Sequence, residues 1–435
     1  MLRGFLVKAG AGHRVPYHVL PCHAACRFDG EPRVNDDQAR GAPELGDYAN
    51  EMMRMGVRRV HVLAWRDYED PDAGGSELHA HEFMHRFAEA GLQVLHRTSA
   101  AVGQPATQQR SGYSVIRRGS RYSVFPRTVA SEITHRMGQY DALIEVWNGV
   151  PWLSPLWCRK PRIMFLHHVH GPMWDQLLPG PLAAAGRLME TRLAPPLYRR
   201  TRTLTPSEAT RDDLIRLGFH ADHVTAVNNG VDPFFRPDGE RTAEPLVVGV
   251  GRLAPVKRFD RLIEAAVVAR RRVPTMRLVV VGEGPEKHRL EDLIRQHDAS
   301  SWITLTGHLR HHDLRALYQQ AWLVSSASLA EGWGLTLTEA AACGTPAVAT
   351  NISGHRCSVV DGRTGVLAEL EHLGDVMADL LLDDVRRSAL GEAALQRART
   401  LTWDASALGV IKGLHGEVLR RKQRKATRYE TARHA

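Results

Sequence analysis

The chain has 435 residues, 43% of them hydrophobic and 24% charged, with 57 Lys and Arg against 48 Asp and Glu for a formal charge of +9. That mixture belongs to a globular protein of two or three domains and excludes disorder across its bulk. No run of about 18 apolar residues occurs, which excludes an integral membrane helix, and five cysteines in so long a chain make no disulfide framework and fit a reducing cytoplasm.

The first 54 residues have scattered Gly and Pro and no sustained periodicity, and read as an irregular extension. Cys22, His23 and Cys26 lie close together in it, but no second ligand pair follows at a zinc-site spacing, so free thiols are expected. Translation is expected to begin at Met52, Met53 or Met55, just ahead of the first convincing strand at 59–65. A loop with Gly74 and Gly75 then leads into a helix over 76–90, with Ser76 as its N-cap and Gly91 as its stop. Strands follow at 142–146, 162–167 and 224–227, and a strand end at Thr205 turns into a helix over 209–217 closed by Gly218.

Asn228-Asn229-Gly230-Val231-Asp232-Pro233 is turn chemistry, and 236–245 reads as a polar linker. The alternation then restarts. Strands fall at 246–250, 277–281, 303–306, 322–325 and 347–350, with helices at 259–272, 286–296, 312–320 and 337–343 between them. Further helices at 375–382 and 384–399 precede a basic end with Arg420, Arg421, Lys422, Arg424 and Lys425. Alternation of this kind makes doubly wound parallel sheets. The expected organisation is an extension over 1–54, a Rossmann-like domain over 55–235, a second over 236–400, and a helix with a basic tail over 401–435. Ligands of open α/β sheets sit at the carboxyl ends of the strands, so two such domains in tandem can share one cleft.

Candidate site residues cluster in the second domain. Glu331 and Glu339 bracket Gly332, Trp333, Gly334 and Leu335, a glycine turn opening a helix whose N-terminus favours an anion such as a diphosphate. One carboxylate in the turn and one about a turn into the helix can reach hydroxyls of a single ligand. Gly251 and Arg252 end the first strand of this domain, and Lys257 follows five residues later. Arg supplies a planar fork for phosphate oxygens and Lys a mobile charge. Only seven positions in the chain are Lys, which makes Lys257 beside a strand end informative. Gly282-Glu283-Gly284-Pro285 ends the next strand; alone it is only a turn.

Taken together, Gly251-Arg252-x4-Lys257, Gly282-Glu283-Gly284-Pro285, Gly307, the Glu331–Glu339 run and the following Ala340-Ala341-Ala342-Cys343-Gly344-Thr345-Pro346 resemble a retaining glycosyltransferase of family 4 with the GT-B fold. Asn229-Gly230-Val231-Asp232 and Val360-Asp361-Gly362-Arg363-Thr364-Gly365 fit the same pattern, and the resemblance runs over about 59–399. It implies a nucleotide-diphospho-sugar donor held by Arg252 and Lys257 at the diphosphate, by Glu331 at the sugar and by Glu339 at the ribose. Backbone groups around Gly307, His308 and Leu309 would meet the base, and amides of Gly332–Leu335 the sugar or phosphate. Gly74 and Gly75 match the family's glycine-rich loop and His167 its active-site histidine, with His168 one residue away.

The chain departs from the pattern at Ser353-Gly354-His355-Arg356-Cys357, which lacks an expected acidic residue. Asp70-Pro71-Asp72 formally matches a metal signature of another glycosyltransferase fold but precedes a glycine loop, and reads as solvated. No metal and no cofactor is therefore expected, and no nucleic-acid reader motif is visible. The acceptor is unspecified, with its contacts expected in loops at 98–127 and 171–187. A non-catalytic nucleotide-binding subunit is the alternative, and the basic tail offers peripheral contact with an anionic membrane.

Overall fold

The computed structural model describes residues 44–434; Cys22, His23 and Cys26 lie outside them. Among the described residues, fourteen strands form two sheets. The first contains β1 (Arg59–Leu63), β2 (Gln93–Thr98), β3 (Thr107–Arg110), β4 (Tyr113–Arg117), β5 (Ala142–Trp147), β6 (Arg162–Leu166), β7 (Arg202–Thr205) and β8 (Val224–Ala226). Its order is β3-β4-β2-β1-β5-β6-β7-β8, and only β3 is antiparallel to its neighbour. The second contains β9 (Leu246–Val250), β10 (Arg277–Val281), β11 (Ile303–Gly307), β12 (Leu323–Ser326), β13 (Ala347–Thr350) and β14 (Gly365–Ala368), in the all-parallel order β11-β10-β9-β12-β13-β14. Every residue of β5 and of β13 is buried, as sheets covered by helices on both faces require.

Three sequence expectations need correction. Residues 45–54 are not irregular: Leu45–Arg54 is a helix, opened where Asp47 accepts the Glu44 N–H at 3.0 Å. Leu45, Tyr48, Ala49 and Met52 recur at helical spacing and pack into the first core. A chain begun at Met52 would lack three of those four contacts. Residues 98–127 are not all loop, because β3 and β4 form a hairpin turning at Ser111 and Gly112, both at positive φ. The helix after β1 begins at Gly75 with Gly74 as its cap. Ser76 is not the cap: its hydroxyl donates to Glu77, which accepts the Gly74 N–H at 2.8 Å.

The last helix, Trp403–His434, crosses back to the first lobe. Val410, Ile411, Leu414 and Val418 are buried in the same cluster as Val60, Phe83 and Phe165. The chain thus passes between lobes twice, and the two passages lie side by side, with Val231 donating its N–H to Leu401 at 2.9 Å.

Candidate active site

Both sheets reverse their strand order in the middle, between β1 and β5 and between β9 and β12. Such switch points open a crevice at the carboxyl ends of the strands. The predicted residues follow those ends: Gly74 and Gly75 after β1, Gly251 and Arg252 after β9, and Glu331 after β12. In the second lobe Gly251 donates to the Val281 carbonyl and Gly282 to that of Gly307, at 3.0 and 2.9 Å. Three predicted glycines are therefore brought into one row.

Beside that row, Lys257 Nζ lies 2.5 Å from Glu331 Oε1, and Ser328 Oγ donates to the same oxygen at 2.8 Å. Burial, the largest influence, would raise the Glu331 pKa, but the charges of Lys257 and His355 and the bonds from Lys257 and Ser328 together outweigh it and hold the carboxyl below its ordinary range. Glu339, on the helix Leu335–Ala342, accepts the Tyr318 hydroxyl at 3.1 Å. Here burial prevails and pushes its pKa up to about 7, with the Tyr318 bond opposing and Asp232 reinforcing. The Trp333 side chain is buried in the core, so only its backbone serves the turn; His308 is exposed and Leu309 half-buried.

The first lobe presents imidazoles. His167 is buried, and its Nε2 stands 3.3 Å from His79 Nδ1. Its ring lies among those of His79 and Phe165, turned into the lobe. Burial holds His79 near a pKa of about 3 and drives His167 well below its ordinary value, so both are neutral. His168 is disposed differently. Its pKa is lowered to about 3, chiefly by burial and then by His170, and it feels the charges of Glu331 and Lys257 across the cleft. With the His167 ring turned to His79 and Phe165, and a Cβ on Gly332 falling 3.6 Å from His168 Cβ, it is the His168 side chain that lies toward the second lobe.

The lobes meet closely. A Cβ on Gly332 would lie 2.7 Å from the His167 carbonyl oxygen and 3.6 Å from His168 Cβ, and a Cβ on Gly75 would lie 2.7 Å from Leu335 Cδ1. Gly332 thus meets backbone and leaves no room for a side chain, whereas at Gly75 the end of the Leu335 side chain would have to move. Arg252 reaches Asp72 at 3.3 Å, each about half exposed, so the Asp70-Pro71-Asp72 loop is not merely solvated. Where the expected acid is missing, Gly354 packs on the Glu331 backbone and buried His355 donates from Nδ1 to the Thr350 carbonyl at 2.8 Å.

Sequence reasoning missed His79, Ser328, Tyr318 and the roles of Asp72 and His355. The Asp72 position was flagged by its motif; His79, four residues past Gly75 on a helix, carried a periodicity signal alone.

Two facing switch points, one lined by cations and carboxylates and the other by neutral imidazoles, define a glycosyltransferase of the GT-B fold. The chain belongs to the glycosyl transferases group 1, whose family model matches residues 231–397, with the Glycosyltransferase Family 4 model matching 73–234. It is 32% identical to a D-inositol 3-phosphate glycosyltransferase of Stackebrandtia nassauensis, over 85% of this chain and 94% of that one. A GDP-mannose-dependent alpha-(1-6)-phosphatidylinositol monomannoside mannosyltransferase of Mycolicibacterium smegmatis is 30% identical over 65% of this chain and 79% of its own. Among solved structures, sucrose-phosphate synthase of Thermosynechococcus elongatus matches with a TM-score of 0.69 at 21% identity, covering 85% of this chain and all of that one. Anabaena HepE in complex with UDP-glucose matches with a TM-score of 0.64 at 18% identity, over 83% and 99%.

Proposed function

We propose that this glycosyltransferase moves a sugar from a nucleotide-diphospho-sugar to a hydroxyl acceptor with retention at the anomeric carbon, without a metal ion. The observation that carries the reading is the convergence of Arg252, Lys257 and Glu331 at the second switch point. Arg252 and Lys257 take the diphosphate and stabilise the leaving nucleotide electrostatically. Arg252 pairs with Asp72 and Lys257 with Glu331, so phosphate oxygens would compete with those carboxylates for the same two cations. Glu331, released from Lys257, reaches the sugar hydroxyls, and Glu339 the ribose. His168, neutral across physiological pH, hydrogen-bonds the sugar from the first lobe. With Glu331 held by Ser328 and the sugar hydroxyls, same-face attack is favoured over a carboxylate nucleophile. The phosphate itself then accepts the acceptor proton.

A thermal-shift panel of UDP, GDP, ADP and their sugar conjugates, with and without magnesium, tests this. One nucleotide should raise the melting temperature independently of metal, and Arg252→Ala should abolish the shift. A shift that needs magnesium would overturn the metal-free mechanism. Because curated relatives carry inositol acceptors in their names, inositol phosphates and inositol lipids head the acceptor search.

A further inference from the structure

A second concavity lies at the other end of the first sheet. Val57, Asp141, Pro161, Thr201 and His223 line it, and they stand just ahead of β1, β5, β6, β7 and β8. The cleft residues Gly74 and His167 follow the opposite ends of β1 and β6. This groove is therefore separated from the active site by the length of the strands. It encloses about 1570 Å³.

Its charge is one-sided. Nine Lys and Arg side chains line it against one carboxylate, Asp141. Asp141 is already taken by Arg59 at 2.9 Å and by the backbone N–H groups of residues 58 and 59. On the helix Trp403–His434, Arg420 and Arg421 share Glu417. Arg421 also donates to the Arg159 carbonyl at 2.5 Å, which fixes the helix to the loop before β6. Lys160, Arg200, Lys422, Arg424 and Lys425 are exposed and make no ion pair among the described residues. The crowding is felt: Arg162 has its pKa lowered by burial and then by Arg421, and His223 by burial and then by Arg420. What sequence alone shows as a basic tail is one wall of a folded cationic groove.

An apolar strip adjoins it. Leu197 lines the groove at 38% exposure, and Leu193 and Leu188 precede it at 51% and 48% on the same helical stretch. Exposed Arg192, Arg199 and Arg200 lie among them. Exposed leucines beside unpaired cations have the chemistry of a segment that rests in a bilayer interface, whereas a soluble phosphate would need the cations alone.

We infer that this groove and its leucine strip form a docking surface for an anionic phospholipid bilayer, seating the enzyme by the end of its first lobe opposite the cleft. Charge draws headgroup phosphates into the groove, and Leu193 and Leu197 enter the acyl boundary. No described helix is long and apolar enough to cross a membrane, so the contact is peripheral.

The test is co-sedimentation of the full chain with vesicles of phosphatidylcholine alone and of phosphatidylcholine mixed with phosphatidylglycerol. It needs no sugar donor, so its outcome is independent of the proposed reaction. Binding is expected only to the mixed vesicles and should weaken with salt. The quadruple variant K160Q/K422Q/R424Q/K425Q should bind at least about tenfold more weakly, and L193S/L197S should also lose affinity, both with unchanged helical circular dichroism. Equal binding to neutral vesicles, or none to either, overturns the inference. So does a leucine variant that binds normally while inorganic pyrophosphate competes fully, which would make the groove a site for soluble phosphate.

Discussion

The two walls of the cleft handle polar groups in opposite ways. In the second lobe charges are paired: Lys257 with Glu331, and Glu339 with the Tyr318 hydroxyl. In the first lobe the imidazoles are buried, neutral and partly alone. His79 Nε2 and His167 Nδ1 lack a hydrogen-bond partner among the described residues, and Glu145 has only Tyr198 and Ser154 to offset part of its burial. The difference follows from what each wall meets on the proposed function. A diphosphate brings negative charge that must be answered by mobile cations, and a paired cation can be handed over without ever being bare. A sugar ring brings hydroxyls, for which position matters more than charge.

The largest effect should come from the charged wall. Lys257→Ala is expected to lower kcat/KM by roughly 10²–10³, the scale of a lost electrostatic donor. Steady-state kinetics with the donor found in the nucleotide panel would measure it, and near-normal transfer would remove Lys257 from the mechanism. On the neutral wall the two histidines should separate. His168→Ala is expected to lower kcat by about 10–100-fold with a small change in melting temperature. His167→Ala opens a hole beside His79 and Phe165, and should lower the melting temperature more than the turnover. The opposite pattern would return the sugar contact to His167.

Those histidines also mark where the sequence stops being readable. Gly251, Arg252, Lys257, Gly282, Gly307, Glu331 and Glu339 were legible because a parallel sheet lines up its strand ends, so fixed offsets from each strand give fixed positions in space. His167 and His168 sit just past the end of β6. There a one-residue change of register sends a side chain to the opposite face, and composition does not set that register. The Leu45–Arg54 helix was hidden for another reason. Its apolar stripe is short, and the element that covers it, Trp403–His434, lies more than 350 residues away in sequence. The groove was invisible likewise: Lys160, Arg200 and Lys425 converge only through the fold. Asp72 was read as solvated and is exposed, but its contact with Arg252 was hidden, since that partner belongs to the other lobe.

A smaller effect should appear in the pH dependence of nucleotide binding. Glu339 titrates near pH 7, and below that it carries a proton and offers the ribose hydroxyls a poorer acceptor. The neutral histidines add no titration between pH 5 and 8, since burial drives His79 and His168 to about 3 and His167 well below its ordinary value. Nucleotide affinity should therefore fall severalfold from pH 8 to pH 6. Glu339→Gln should bind weakly and almost independently of pH. Isothermal titration at both pH values checks this, and a pH dependence that survives in the Gln variant would assign it elsewhere.

A last test, on stability and not on activity, asks whether the buried carboxyl of the first lobe is costly. Glu145 is fully buried on β5, and burial pushes its pKa to about 7 from 4.5, with Tyr198 and Ser154 offsetting only part. A carboxyl whose folded pKa is raised stabilises the fold as its protonated form, fully below the unfolded value of 4.5. That contribution is lost as pH rises through about 7. At pH 8 the folded chain thus carries a buried charge it would sooner discard, a penalty on the order of 3 kcal/mol, against about 1 kcal/mol at pH 5. Glu145→Gln keeps the shape and removes the charge, so it should raise the melting temperature at pH 8 and do little at pH 5. Thermal denaturation at the two pH values decides the matter. A variant that melts lower at pH 8 would show that the carboxylate is answered after all, by bound water or by Tyr198, and the contrast between the walls would then narrow to the imidazoles.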